Sequence, residues 1–199
     1  MHLACAAVVA QARAAAAAAV DLIQVRERDL EANLLAGLVS AIVAAIHGTP
    51  TRVVVNDRLD VALASGADGV HLRADSIPVE AARGMSPAGF LVGRSVHSVA
   101  DLRPAAAADY LVAGTVFPSA SKASNHPLLG PAGLREIAAA ARRPVLAIGG
   151  ISVDRIDDVA AAGAAGVAAI GLFATTDPST MKNLVDRMRL RFDRVRIAP

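Results

Sequence analysis

Short apolar runs rich in β-branched residues alternate with longer alanine- and leucine-rich stretches along almost the whole chain, and that alternation most constrains the fold. The runs LIQV (22–25), RVVVN (52–56), GVHL (69–72), FLVG (90–93), YLVAG (110–114), PVLAIGG (144–150) and GVAAIG (166–171) read as strands. Between them, segments 29–46, 58–65, 77–83, 98–107, 132–142, 152–162 and 179–192 carry helical period, with Ser98, Ser152 and Pro131 placed to start helices. Continuously apolar strands separated by helices pack as a parallel sheet covered by helices. Seven strands are clear, and an Ala-rich helix over 8–19 suggests an eighth unit. The expected fold is therefore an α/β (β/α)8 TIM barrel with a first strand that is short, degenerate (HLACA, 2–6) or missing. An open doubly wound sheet is the other arrangement, but no glycine-rich loop follows the first strand. No linker interrupts the pattern, so residues 1–199 read as a single domain.

Composition narrows the function classes. The chain is 54% hydrophobic but only 3% aromatic, so its apolar mass is Ala, Val, Leu and Ile, which suits close helix-on-sheet packing. Basic and acidic residues nearly balance (20 against 18), and no aromatic-basic interleaving appears, so a nucleic-acid partner is not expected. The basic tail RMRLRFDRVR reads as a solvated final helix. A lone Cys5 excludes an intrachain disulfide and fits a reducing compartment. The opening MHLACAAVVAQARAAAAAAVD lacks the basic start of a secretory signal and is broken by Gln11 and Arg13. No run reaches the roughly 18 apolar residues of a membrane span. A cytoplasmic protein without membrane contact is expected.

In a parallel barrel the active site is built from the C-terminal strand ends and the loops after them. Those positions hold Gln24, Arg26 and Arg28; Asn56 and Asp57; His71, Arg73, Asp75 and Ser76; Arg94, Ser95 and His97; GTVFPSASK (114–122); Gly149 and Gly150; and Gly171. Arg26, Arg28 and Lys122 suit phosphate oxygens, and Ser119 and Ser121 can donate to them. Gly149-Gly150 exposes backbone N–H groups before a helix start. Asp57 and Asp75 offer hard oxygens for Mg2+. Each feature alone has a structural alternative: NDR can cap the next helix, IGG is a common strand-to-helix turn, and Arg73 and Arg94 can be surface charges. His71 reads first as an internal, hydrogen-bonded histidine.

The blocks IQVRER, VNDRLDVALASGADGVHL, VGRSVHS, ADYLVAGTVFPSASK, GPAGL and PVLAIGGI together resemble the thiamin phosphate synthase/TenI superfamily in order and spacing. The resemblance implies a (β/α)8 barrel in thiamin biosynthesis. It also implies a transferase that condenses hydroxymethylpyrimidine diphosphate with thiazole phosphate and releases diphosphate, with Mg2+ as cofactor. By position, Gln24, Arg26 and Arg28 match a Gln-x-Arg-x-Lys element, and Asn56-Asp57 match an Asn-Asp pair whose aspartate binds Mg2+. Ser95 matches the serine near the pyrimidine. Ser119, Ser121 and Lys122 match a Thr-x-Thr-Lys loop whose lysine meets diphosphate, and Gly150 matches the glycine whose N–H meets the thiazole phosphate. The implied catalytic residues are Lys122, Arg26 and Ser95. The implied substrate contacts are Gln24, Arg28, Asn56, His71, Ser119, Ser121, Gly149, Gly150 and Gly171, and the metal ligands Asp57 and Asp75. Small phosphate and diphosphate substrates are the implied partners, and a homodimer is left open.

Three departures from the superfamily pattern keep alternatives in view. HLRADSIP (71–78) has Arg73 for glycine, Ala74 for glutamine and Ser76 at the second metal aspartate, with Asp75 one residue away. Gly171 stands where the last phosphate element usually has serine. GRSVHS is nearer the TenI-type thiazole tautomerase branch, yet Thr115 in GTVF replaces that branch's general acid/base histidine, and threonine holds no titrating proton near neutral pH. A tautomerase and a non-catalytic phosphate-binding paralogue are the alternative readings.

Overall fold

In a computed structural model, residues 2–27, 29–119 and 127–197 are described, apart from the side chains at 2–4 and 196–197. Arg28, Ser121, Lys122 and His126 lie outside the described residues.

Seven parallel strands form one sheet in sequence order. They are β1 (Leu22–Val25), β2 (Arg52–Asn56), β3 (Gly69–Leu72), β4 (Leu91–Val96), β5 (Tyr110–Ala113), β6 (Val145–Ile148) and β7 (Gly166–Ala168). The helices are α1 (His2–Ala17), α2 (Ala32–Ala45), α3 (Leu59–Ala64), α4 (Val79–Gly84), α5 (Gly130–Ala140), α6 (Ile156–Ala161), α7 (Gly171–Ala174) and α8 (Met181–Ile197). The α/β class and parallel sheet are as expected, and of the three forms allowed for the first strand the described residues show it missing, so the sheet has seven strands rather than eight. Residues 2–6, the candidate first strand, lie in α1. HLACA runs into the Ala-rich segment without a turn residue, and uninterrupted alanine favours helix over strand. Among the described residues β1 and β7 remain the sheet edges. Helix α1 packs against both α2 and α8, so the helical layer spans the gap between those edges. Gln11, the polar break in the alanine run, donates from Nε2 to Phe173 O and, at 2.9 Å, to Thr176 O.

Side-chain parity divides the sheet into two faces. Val53, Val55, Val70, Leu72, Val92, Val96, Leu111, Ala113, Val145 and Ala147 face the helices and join one core with Leu35, Val39, Ile42, Leu134, Ile137 and Ile156. Each of the Val, Leu and Ile side chains among them stabilises the fold by roughly 1.5–3 kcal/mol of burial. The opposite parity carries Gln24, Asn56, His71, Ser95 and Tyr110, so the polar strand residues share the inner face. Two aspartates fix the register from the other end. Asp68 accepts the Val53 N–H at 2.7 Å and Asp109 the Val92 N–H at 2.7 Å.

The segment 98–107, expected as a helix, forms only a 3-10 turn at Val99–Leu102. Pro104 explains the break: it lacks the N–H that would bond back one turn, and its ring clashes with that carbonyl. Ser98 does start the turn; Asp101 accepts its backbone N–H at 2.9 Å and that of His97 at 2.7 Å. The basic tail belongs to α8, where Arg191 pairs with Asp154 and Asp157, Arg194 with Asp157 and Arg189 with Asp21. Among the described residues no helix is long and apolar enough to cross a membrane.

Candidate active site

The strand register brings the predicted residues to one end of the sheet. Asn56 pairs with His71, His71 with Gly93 and Ser95 with Val112. Gln24 lies one residue before the end of β1, and Arg26 directly follows that strand. Gly149 and Gly150 directly follow β6, and Gly171 opens α7 rather than ending β7.

His71 forms the floor of this site. It is buried, with Nε2 2.9 Å from Ser95 Oγ and Nδ1 3.3 Å from the Tyr110 hydroxyl. Gly93 makes room for the Tyr110 ring, since a Cβ on residue 93 would lie 2.2 Å from Tyr110 Cζ. Burial first, and then the positive charges of Arg26 and Arg94, together push the His71 imidazole down to about 4, against the pull of Asp57. Burial likewise raises the Tyr110 phenol above its ordinary value. His71 is therefore neutral at neutral pH, with one ring nitrogen donating and the other accepting, and it fixes Ser95 without titrating.

That depression sets a stability prediction. Between the ordinary value near 6.5 and about 4, the unfolded chain binds a proton that folded His71 refuses. Stability should therefore fall as pH drops through that window, by up to about 3 kcal/mol from this group. Urea unfolding of the native chain and of His71→Asn at pH 7.5 and 4.5 reads it: the native chain should lose more stability than the variant, and equal losses would contradict the assignment.

Arg94, a strand-end residue for which a surface charge was the alternative reading, is buried. Its Nη1 donates to Ile77 O and its Nη2 to Ala74 O, both at 2.8 Å, so one guanidinium holds the loop between β3 and α4. The signal was its parity: Arg94 alternates with Val92 and Val96 on the apolar face, where a charge needs buried partners. Within that loop, Arg73 lies between the two predicted metal carboxylates. Its Nε is 3.1 Å from Asp57 Oδ2, though not aligned as a hydrogen bond, and its Nη2 is 3.1 Å from Asp75 Oδ2. The Ser76 hydroxyl donates to Asp57 Oδ1 and accepts the Arg73 N–H at 2.8 Å. Asp57 has a left-handed backbone (φ +63°), and its N–H donates to His71 O at 2.8 Å.

On the other side, the chain after β5 runs beside the end of β6. Val116 N donates to Ile148 O at 2.9 Å and Phe117 N to Gly149 O at 3.0 Å. Gly149 (φ +101°) and Gly150 (φ +61°) turn away from β6 directly beneath that loop. Arg155, which sequence reasoning passed over, ties the turn down: Nη1 donates to Gly150 O at 2.6 Å and the guanidinium lies 4.8 Å over the Phe117 ring. The return segment is anchored where it left, with Leu129 N donating to Thr115 O at 2.8 Å and Gly130 N to Val116 O at 3.1 Å. Ser119 is half-buried at the loop's start. Thr115 is buried and His97 Nδ1 donates to Gly114 O.

The family model described as thiamine monophosphate synthase matches residues 2–173. The chain belongs to that family. A thiamine-phosphate synthase from Methanoculleus marisnigri is 48% identical over 161 residues, covering 80% of this chain and 76% of that protein. One from Anaeromyxobacter dehalogenans is 42% identical over 193 residues, covering 96% and 85%. Among solved structures, thiamine phosphate pyrophosphorylase from Pyrococcus furiosus is similar with a TM-score of 0.82 at 29% identity, covering 94% of this chain and 90% of that one. The donor set around Asp57 departs from the metal site that the sequence resemblance implied. Both carboxylates expected to hold Mg2+ already face Arg73, and among the described residues no group of three or more His, Cys, Asp or Glu side chains could hold a metal. As arranged, these residues do not fit a divalent ion.

Proposed function

We propose that this chain is a thiamine-phosphate synthase, condensing hydroxymethylpyrimidine diphosphate with thiazole phosphate. The observation that carries the reading is the cluster at the C-terminal strand ends, where buried His71 holds Ser95 within the positive field of Arg26. The condensation moves no proton. The C–O bond to diphosphate breaks with its electron pair leaving on the diphosphate, and the thiazole nitrogen lone pair forms the new C–N bond to the same carbon. Such a step asks for charge stabilisation and positioning rather than a base.

The named residues divide the work. Arg26 and Lys122, with Arg28, Ser119 and Ser121, take the charge developing on the departing diphosphate. Ser95, fixed by His71, orients the pyrimidine beside Gln24 and Asn56. Gly149, Gly150 and Gly171 receive the thiazole phosphate. Magnesium, expected from the resemblance, would have Asp57 and Asp75 as its protein ligands, but both face Arg73 and do not fit the ion as arranged. The tautomerase reading is weaker on chemistry. It requires a proton to be removed and returned, while His71 is held near 4 and Thr115 has no titrating proton.

Complementation tests the proposal. A bacterial strain lacking its thiamine-phosphate synthase should grow without thiamin when it expresses this chain, and fail to grow with Arg26→Ala at equal protein level. No growth with the native chain, together with conversion of the thiazole tautomer by the purified protein, would favour the tautomerase. No growth and no conversion, with thiazole phosphate still bound, would favour the paralogue.

A further inference from the structure

Resting on that reading, we infer that Arg73 is the resident cation of the diphosphate site, so that the chain engages diphosphate without a divalent metal. Two carboxylates that converge on one cation are the arrangement a divalent ion would bridge, and here the guanidinium of Arg73 holds that place, 3.1 Å from Asp57 Oδ2 and 3.1 Å from Asp75 Oδ2. The placement is built into the loop. Ser76 fastens Asp57 with its hydroxyl and the Arg73 backbone with its oxygen, and buried Arg94 grips the Ala74 and Ile77 carbonyls on either side of Asp75 and Ser76. Ser76 supplies a donor to Asp57 where a metal site needs another anionic oxygen, so the substitution favours the guanidinium over an ion.

Arg26 adds a second positive charge at this end of the sheet, one that acts on His71. The Arg73 side chain remains 42% exposed. A guanidinium has five N–H donors in a planar fork, so Arg73 can face two carboxylates and still present donors to a phosphate oxygen.

The test titrates inorganic diphosphate into the full chain by calorimetry, in EDTA and in Mg2+, and so reads binding without turnover. Affinity in EDTA should stay within about threefold of that in Mg2+, a difference of well under one tenfold step. Arg73→Ala, checked for folding by circular dichroism, should weaken binding in EDTA by about tenfold or more through loss of charge-assisted contacts. The double variant Arg73→Gly/Ser76→Asp should bind diphosphate only with Mg2+ and should acquire a Mn2+ site visible by electron paramagnetic resonance. The inference is overturned if the native chain needs Mg2+ to bind diphosphate, if it binds Mn2+ with diphosphate, or if folded Arg73→Ala binds as before in EDTA. Metal-free diphosphate binding by a chain that makes no thiamin phosphate would count against the synthase reading alone.

Discussion

Lys122→Ala is expected to lower kcat for thiamin phosphate formation by about 10²–10³-fold, the range seen when one preorganised electrostatic donor is removed from a site of developing charge. The KM for thiazole phosphate should hardly change. Diphosphate gains charge only as the C–O bond breaks, so a cation facing it acts mainly in the transition state. Lys122 itself lies outside the described residues, but both ends of its loop are fixed at the active end. Ser119 follows the strand-like pairing of Val116 and Phe117 with β6, and the chain returns at Leu129 and Gly130 onto Thr115 and Val116. Lys122→Arg should recover part of the rate, since it keeps the charge but changes its geometry. Steady-state kinetics with both substrates varied reads the split. A kcat within about threefold of native would remove Lys122 from the chemistry.

The second large effect is structural. Gly150→Ala should destabilise the fold by about 4 kcal/mol, combining strain of a side chain at positive φ with overpacking against backbone. A Cβ there would lie 2.3 Å from Pro118 O, 2.8 Å from Phe117 Cβ and 2.8 Å from Phe117 O, and the φ of +61° is poorly suited to alanine. The crowding is with the loop that leads to Ser119 and Lys122, so whatever structure survives should also bind thiazole phosphate poorly. Gly37→Ala provides the contrast. Nothing lies within 4 Å of a Cβ in that α2 position, and helix propensity alone should stabilise it by about 0.5–1 kcal/mol. Chemical unfolding of both variants measures the difference. A Gly150→Ala protein as stable as native would show that the two loops do not meet as described.

Much of the architecture was legible because the strands are short apolar runs between helices. β1, β2 and β3 begin and end where the sequence pattern placed them. The first strand was not legible, since apolar alanine-rich sequence fits a short strand or a helix until length decides, and α1 is sixteen residues long. Pro104 was visible, but the Ala-rich residues around it masked its effect on the segment 98–107.

In the site, the clustering of Gln24, Asn56, His71 and Ser95 on one face followed from strand parity, which sequence carries. The roles of Arg73 and Arg94 did not, because each depends on contacts across two elements. Arg94 reaches from β4 to the carbonyls of a loop 17 and 20 residues earlier, and Arg73, just after β3, pairs with Asp57, just after β2. Arg155 was hidden for the same reason: its partners, Gly150 and Phe117, come from two different loops.

The most direct measurement is made on the purified native chain given hydroxymethylpyrimidine diphosphate and thiazole phosphate, with thiamin phosphate and released diphosphate quantified over time. The two products should appear in equal amounts, at a rate that depends on both substrates. Absence of both products, or release of diphosphate without thiamin phosphate, would contradict the synthase reading.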